Sequence, residues 1–200
     1  MTLAVGVSCP EGAVIAADHM LFSHSSGGDW RWHLSSKIHR LDRWHGAFVC
    51  YGVQGLDSLD RNSFFETVAV IQAGAFGISS VIPHDPSEQA GTLAAGTDGD
   101  VVRLLQWNGG DCKVAPDVGA VFLMGYAALW TGSIEQPTTI GGCLGLALSI
   151  AVETVYSEYA KTGGATLNEC LALNKVPGVA FPIDYAILRP GRVEFFVCPS

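Results

Sequence analysis

A residue with nucleophilic potential stands almost at the start of the chain: Thr2, directly behind Met1. A threonine hydroxyl is a poor nucleophile near neutral pH and needs a base. Removal of Met1, which so small a neighbour permits, would put that hydroxyl and a free α-amine on one residue. An α-amine with an ordinary pKa of about 8 is well matched to take the hydroxyl proton. Asp18 closes the strand that pairs with the one opened by Thr2, so its carboxylate returns beside Thr2. Lys37 opens the next strand, and a charged, buried Lys37 beside Asp18 lowers the amine's proton affinity and favours a developing alkoxide. Gly52 ends a further strand at the same end, where its N–H can approach an acyl carbon closely. One such oxyanion donor is worth roughly 3 kcal/mol. Thr2, Asp18, Lys37 and Gly52 thus form a complete set for cleaving an amide, with no cofactor required.

Taken singly, each residue has an ordinary reading. Threonine often follows an initiator methionine, Asp18 suits a strand-end turn, Lys37 a surface charge, and Gly52 a turn into a helix. Their conjunction in order and spacing is what points to chemistry. The six histidines make no comparable case. His19, His24 and His33 share one stretch, but no pair has the spacing of metal ligands beside an acid, so no metal is expected.

The elements that must position these residues are legible from pattern. Thr2–Ser8 places Leu3, Val5 and Val7 on one face and the small Ala4 and Gly6 on the other. Pro10-Glu11-Gly12 turns into a second strand at Ala13–Asp18, giving an antiparallel hairpin. A loop rich in Ser, Gly and His is expected from about His19 to Ser36. A second hairpin follows, Lys37–Leu41 with Ala47–Gly52. Helical spacing runs from Leu56 to about Ala75, then an irregular stretch over Gly77–Glu88. Strands resume at Gly91–Gly96, Val101–Trp107 and Val118–Met124. A long apolar helix is expected over Thr138–Lys161, stopped by Gly163-Gly164. The last hairpin pairs Asp184–Arg189 with Arg192–Val197. Antiparallel strands in blocks between two long helices predict one α+β domain over residues 1–200, with two facing sheets and helices outside.

Composition limits the partners. Nineteen Asp+Glu against eleven Lys+Arg give a formal charge of −8, and the basic residues do not cluster. A nucleic-acid surface needs clustered cations to neutralise phosphates, so nucleic acid is excluded. Six cysteines lie far apart with no C-x-x-C pair, which fits buried thiols in a reducing compartment. The N-terminus lacks the basic and unbroken apolar segments of a signal peptide. The charge-free stretch between Glu135 and Glu153 is interrupted by Pro137 and glycines, and its apolar part falls short of the roughly 20 residues a membrane span needs. The chain is expected to be cytoplasmic, with no membrane partner. Trp30, Trp32, Trp44 and Phe22 could form an apolar rim, with at least one Trp at a subunit contact.

The chain resembles the proteasome β-subunit family and, within it, the bacterial HslV-like N-terminal threonine hydrolases. The resemblance rests on T-L-A-V at Thr2–Val5, G-A-V-I-A-A-D at Gly12–Asp18, K-I-H-R-L at Lys37–Leu41 and G-V-Q-G-L-D at Gly52–Asp57. T-D-G-D-V-V at Thr97–Val102 and the late helix ending in G-G also correspond, and the Thr-to-Asp and Lys-to-Gly spacings look like the family's. It is patchy but runs from end to end. It implies a four-layer αββα Ntn-hydrolase fold, no propeptide beyond Met1, and rings of identical subunits that enclose the sites. The substrate it implies is a peptide or unfolded protein, with an unfolding partner left open. It also implies that Leu21 and Phe22 wall the substrate pocket; Cys50, two residues before Gly52, would form its floor.

The departures are specific. The Asp18–Lys37 segment is longer than usual in the family, and the segment from Gly52 to Thr97 is shorter. The family's glycine-flanked serine beside the nucleophile is replaced at Leu-Met-Gly-Tyr, Leu123–Tyr126, near Met124. A supporting aspartate falls near Tyr159, with Glu158 adjacent. An inactive scaffold or a small-molecule amidase on the same fold therefore remains as an alternative to a peptidase.

Overall fold

The computed structural model describes residues 2–24, 30–41, 45–51, 91–98, 100–108, 111–116 and 118–200. Alternation along the first two strands dictates the architecture. β1 (Leu3–Cys9) and β2 (Gly12–Asp18) pair antiparallel from Cys9↔Gly12 to Ala4↔Ala17. Leu3, Val5, Val7, Val14 and Ala16 face one buried layer, whereas Ala4, Ala13, Ile15 and Ala17 face another. A strand pair buried on both faces must lie in the middle of a stack, because neither face can be left to water.

The chain supplies both covers. β10 (Ala120–Gly125) flanks β1, and β11 (Ile183–Arg189) flanks β2 and carries β12 (Arg192–Cys198), giving a sheet ordered β10-β1-β2-β11-β12. A second sheet consists of β5 (Ile38–Leu41), β6 (Gly46–Tyr51), β7 (Gly91–Asp98), β8 (Val101–Asn108) and β9 (Asp111–Val114), in that order. Ile38, Ala47, Val49, Leu93, Ala95 and Leu104 meet the small-residue face of β1 and β2. The packing there is tight: a Cβ on Gly6 would stand 2.9 Å from both Leu93 methyl carbons, so a side chain at this position would require Leu93 to move.

The opposite face of the first sheet is covered by α1 (Ile140–Thr162). Thr139 caps it, its Oγ1 accepting the Gly142 N–H at 3.1 Å, and Gly163 in the left-handed conformation ends it. Cys143, Ala147, Ile150, Ala151, Val155 and Tyr159 recur at helical spacing and are buried against Leu3, Val5, Val7 and Val14. By length and composition α1 passes for a membrane span, but this buried stripe is a core helix's packing on a sheet. The described residues thus form three layers: helix, sheet, sheet. The fourth layer of the expected αββα arrangement would fall in residues 52–90, outside the described residues, as do the helix expected at Leu56–Ala75 and the loop at Gly77–Glu88.

One expectation is overturned. Residues 19–36 are not a loop but hold a two-stranded hairpin, β3 (Met20–His24) and β4 (Trp30–Leu34), paired Leu21↔His33 and Phe22↔Trp32. Large β-favouring residues alternate at Met20 and Phe22 and again at Trp30, Trp32 and Leu34. The Ser and Gly that suggested a loop fall mostly in residues 25–29, outside the described residues. The short helix α2 (Leu167–Ala172), capped by Thr166, and strand β9 are further elements beyond those expected.

Candidate active site

Three of the four expected chemical residues converge through one carboxylate. Asp18, fully buried at the end of β2, accepts the Leu3 N–H at 2.8 Å and the Lys37 ammonium at 2.7 Å on Oδ1. Its Oδ2 accepts the Met20 N–H at 2.9 Å. The hairpin register brings β2's end back to β1's beginning, and Lys37 arrives just ahead of β5 on the facing sheet. Two N–H donors and the lysine ammonium fix the carboxylate in direction. Thr2, 5% exposed, is gripped on its other side as well, its carbonyl accepting the Tyr126 N–H at 3.0 Å.

Lys37 is only 4% exposed. Burial pushes its pKa below the ordinary 10.5, opposed by the charge of Asp18 and the hydrogen bond to it. The folded chain therefore sheds this proton more readily than the unfolded chain. Between the lowered folded pKa and 10.5 the unfolded chain binds more protons, so stability climbs with pH across that window. Urea midpoints measured up to pH 10 should therefore climb relative to those of Lys37→Met as the pH rises, since the other titrating groups are common to both chains.

Gly125 sets the closeness of β10's end to Thr2. Its φ of +61° and ψ of −129° suit glycine, and a Cβ there would lie 1.9 Å from the Thr2 carbonyl oxygen. Gly125→Ala should cost at least about 1–3 kcal/mol in chemical denaturation, the scale of one strained backbone position, and should displace Thr2.

The residue beside Thr2 at this end is therefore Tyr126, not Met124. Met124 pairs with Ala4 and is buried between the two sheets, two positions back along β10. Tyr126 opens the 3-10 turn Tyr126–Leu129. Tyr159 is a core residue whose hydroxyl accepts the Phe181 N–H at 3.2 Å. Glu158 instead lies with Tyr126, Trp130, Ser157 and Lys161 on a half-open cleft of about 360 Å³ between the turn and α1.

His19 was grouped only with other histidines, yet its Nε2 lies 2.6 Å from Asp184 Oδ1, an ion-pair distance without hydrogen-bond alignment. Its place next to Asp18 was the available signal. Leu21 and Phe22 lie on β3 just beyond Asp18, half-buried, with Phe22 packed against the helix-side core. Cys50 lies on β6 with its backbone opposite Thr92. Gly52 and Trp44 lie outside the described residues, as do the side chains of Cys50 and Trp30. Among the described residues, no group of three or more His, Cys, Asp or Glu could hold a metal ion.

No protein-family model matches the sequence, and no curated protein does. Solved structures do match. One is Anbu from Hyphomicrobium sp. strain MC1, as its Gly-1 mutant, a protein of the proteasome-like, HslV-related Ntn-hydrolase fold. The likeness covers 100% of this chain and 88% of that one, with a TM-score of 0.59 at 13% identity. The fold is of that kind. At this identity the likeness reaches the architecture and stops there.

Proposed function

We propose that the chain is an N-terminal threonine hydrolase, most directly a peptidase acting on unfolded polypeptides inside a ring of its own copies. One observation carries the reading. A fully buried carboxylate, Asp18, ties the first peptide N–H after Thr2 to a buried lysine at 2.7 Å. A structural salt bridge has no need of so costly a site; replacing such pairs by apolar residues is often neutral or stabilising. With Met1 removed, the Thr2 hydroxyl attacks the scissile carbonyl and its proton passes to the α-amine, directly or through water. Lys37 favours the alkoxide, Asp18 holds Lys37, and the Gly52 N–H receives the oxyanion. The amine then returns the proton to the leaving nitrogen, and water releases the acyl group by the reverse sequence.

Leu21, Phe22 and Cys50 carry no charge, and an unpaired charge in an apolar pocket costs several kcal/mol. Fluorogenic peptides with Leu or Ala before the cut should outrun those with Arg, Lys, Asp or Glu. A dominant preference for a charged residue would remove these three from the pocket.

Enclosure requires assembly. Val118, Leu129, Phe196 and Val197 are exposed apolar side chains on the first sheet's outer strands and the turns beside them. The likeness to Anbu supports a homo-oligomer. Light scattering at micromolar concentration should give a multiple of 21.1 kDa, and a clean monomer would refute enclosure.

A further inference from the structure

We propose that His19 and Asp184 form a positioning pair for Lys37: the imidazole, held by the Asp184 carboxylate, locks the β2–β3 corner from which the Lys37 segment hangs. For its effect on rate the pair depends on the threonine-nucleophile reading above; its geometry does not. Lys37 stands in the link at residues 35–37, which belongs to no strand. That link is anchored through Ser35, whose N–H donates to the His19 carbonyl at 2.9 Å. Two residues on, Lys37 reaches Asp18. His19 follows Asp18 directly, and Asp18 Oδ2 accepts the Met20 N–H across it. Asp18, His19, Ser35 and Lys37 thus close a small ring of contacts.

His19 is held from β11. The register between β2 and β11 ends at Ile183↔Asp18. Beyond it, His19 donates its own N–H to the Ala180 carbonyl at 3.3 Å, and its Nε2 stands 2.6 Å from Asp184 Oδ1. Nε2 carries a proton at that distance, because two facing lone pairs would repel. Asp184 is 6% exposed and the Nε2 atom is buried, so neither group has bulk water as a substitute partner. Asp184 is itself fixed, with its backbone opposite Ala17 on one side and Val197 on the other. An immobile carboxylate therefore grips the corner, and the corner carries the lysine. Loss of the grip lets residues 35–37 shift, and Lys37 leaves its line to Asp18 Oδ1. The pair acts through Lys37, not on the reacting atoms.

The test uses the full chain carrying His19→Ala, Asp184→Ala or His19→Gln, the last keeping an N–H donor where Nε2–H stood. Hydrogen exchange, read by mass on peptides across Met20 and Ser35, needs no activity. Both alanine variants should exchange those amides at least about tenfold faster, with the turn between β11 and β12 unchanged. With Met1 removed, a β-lactone then probes the site. Thr2 Oγ bonds to the lactone carbonyl carbon, the ring C–O bond breaks, and the hydroxyl proton ends on the released oxygen. The maximal labelling rate should fall about ten- to a hundredfold in both alanine variants, with the half-saturating lactone concentration unmoved. His19→Gln should keep most of the rate. Urea midpoints of Asp184→Ala, Lys37→Met and the double variant complete the set. The double loss should fall short of the sum, because both substitutions act through one contact. Wild-type exchange, a wild-type maximal rate, a His19→Gln chain as slow as His19→Ala, or additive losses would overturn the role of the pair. No labelling of the wild type overturns the nucleophile reading instead, and the exchange and urea results then decide the geometry alone.

Discussion

On the proposed mechanism, a Thr2→Ala chain is expected to hydrolyse peptide amides at least about a thousandfold more slowly than the wild type, down to the background of the assay. In that mechanism the hydroxyl supplies the bond-forming atom, and its loss leaves the attack without a nucleophile. Stability should hardly move. The truncation removes one small side chain at the start of β1, and a loss near 1 kcal/mol shifts Tm by only about 2–4 °C in a domain of this size. Thr2→Ser keeps the hydroxyl and should keep most of the rate. Activity that persists in a homogeneous Thr2→Ala preparation would end the N-terminal threonine account.

Lys37 carries the second large effect. Lys37→Met strips Asp18 of the Lys37 ammonium while leaving the two backbone N–H donors in place. Breaking a buried pair costs about 3–5 kcal/mol, and the surviving donors put this case near the lower end. Lys37→Arg keeps the charge, but the planar guanidinium does not fit a pocket shaped for a compact ammonium 2.7 Å from one carboxylate oxygen. Both variants should lose more than about a hundredfold in acylation, the low end of what a positioned acid–base group contributes. Near-normal rates for Lys37→Arg would make Lys37 peripheral.

Much of the site was legible because hairpin geometry is local. The alternation Leu3, Val5, Val7 against Ala4 and Gly6 separated the two faces of β1, and the structure sets the larger residues against the helix and the small ones against the facing sheet. The short turn at Pro10-Glu11-Gly12 then returned Asp18 to Thr2 with no long-range information. The hairpin at 20–34 was hidden because local Ser, Gly and His content outweighed the alternation of its aromatic residues, which only pairing across the strands reveals. Which residue of Leu123–Tyr126 stands beside Thr2 was left open for a related reason. Position along β10 relative to Thr2 depends on a register set by Gly125's conformation, and a backbone φ is not written in the sequence. His19 could have been singled out from its place next to Asp18, but not its approach to Asp184, which joins residues far apart in the chain through β2 and β11 pairing.

The most direct measurement is the mapped site of covalent acylation. The chain is incubated with a β-lactone, its intact mass recorded, and the modified residue located by fragmenting the N-terminal peptide. The account predicts a single adduct on the Oγ of Thr2, in a protein lacking the mass of Met1, and none in Thr2→Ala. Hydrolysis of peptides by a preparation that fully retains Met1, or an adduct on any other residue with Thr2 untouched, would contradict it.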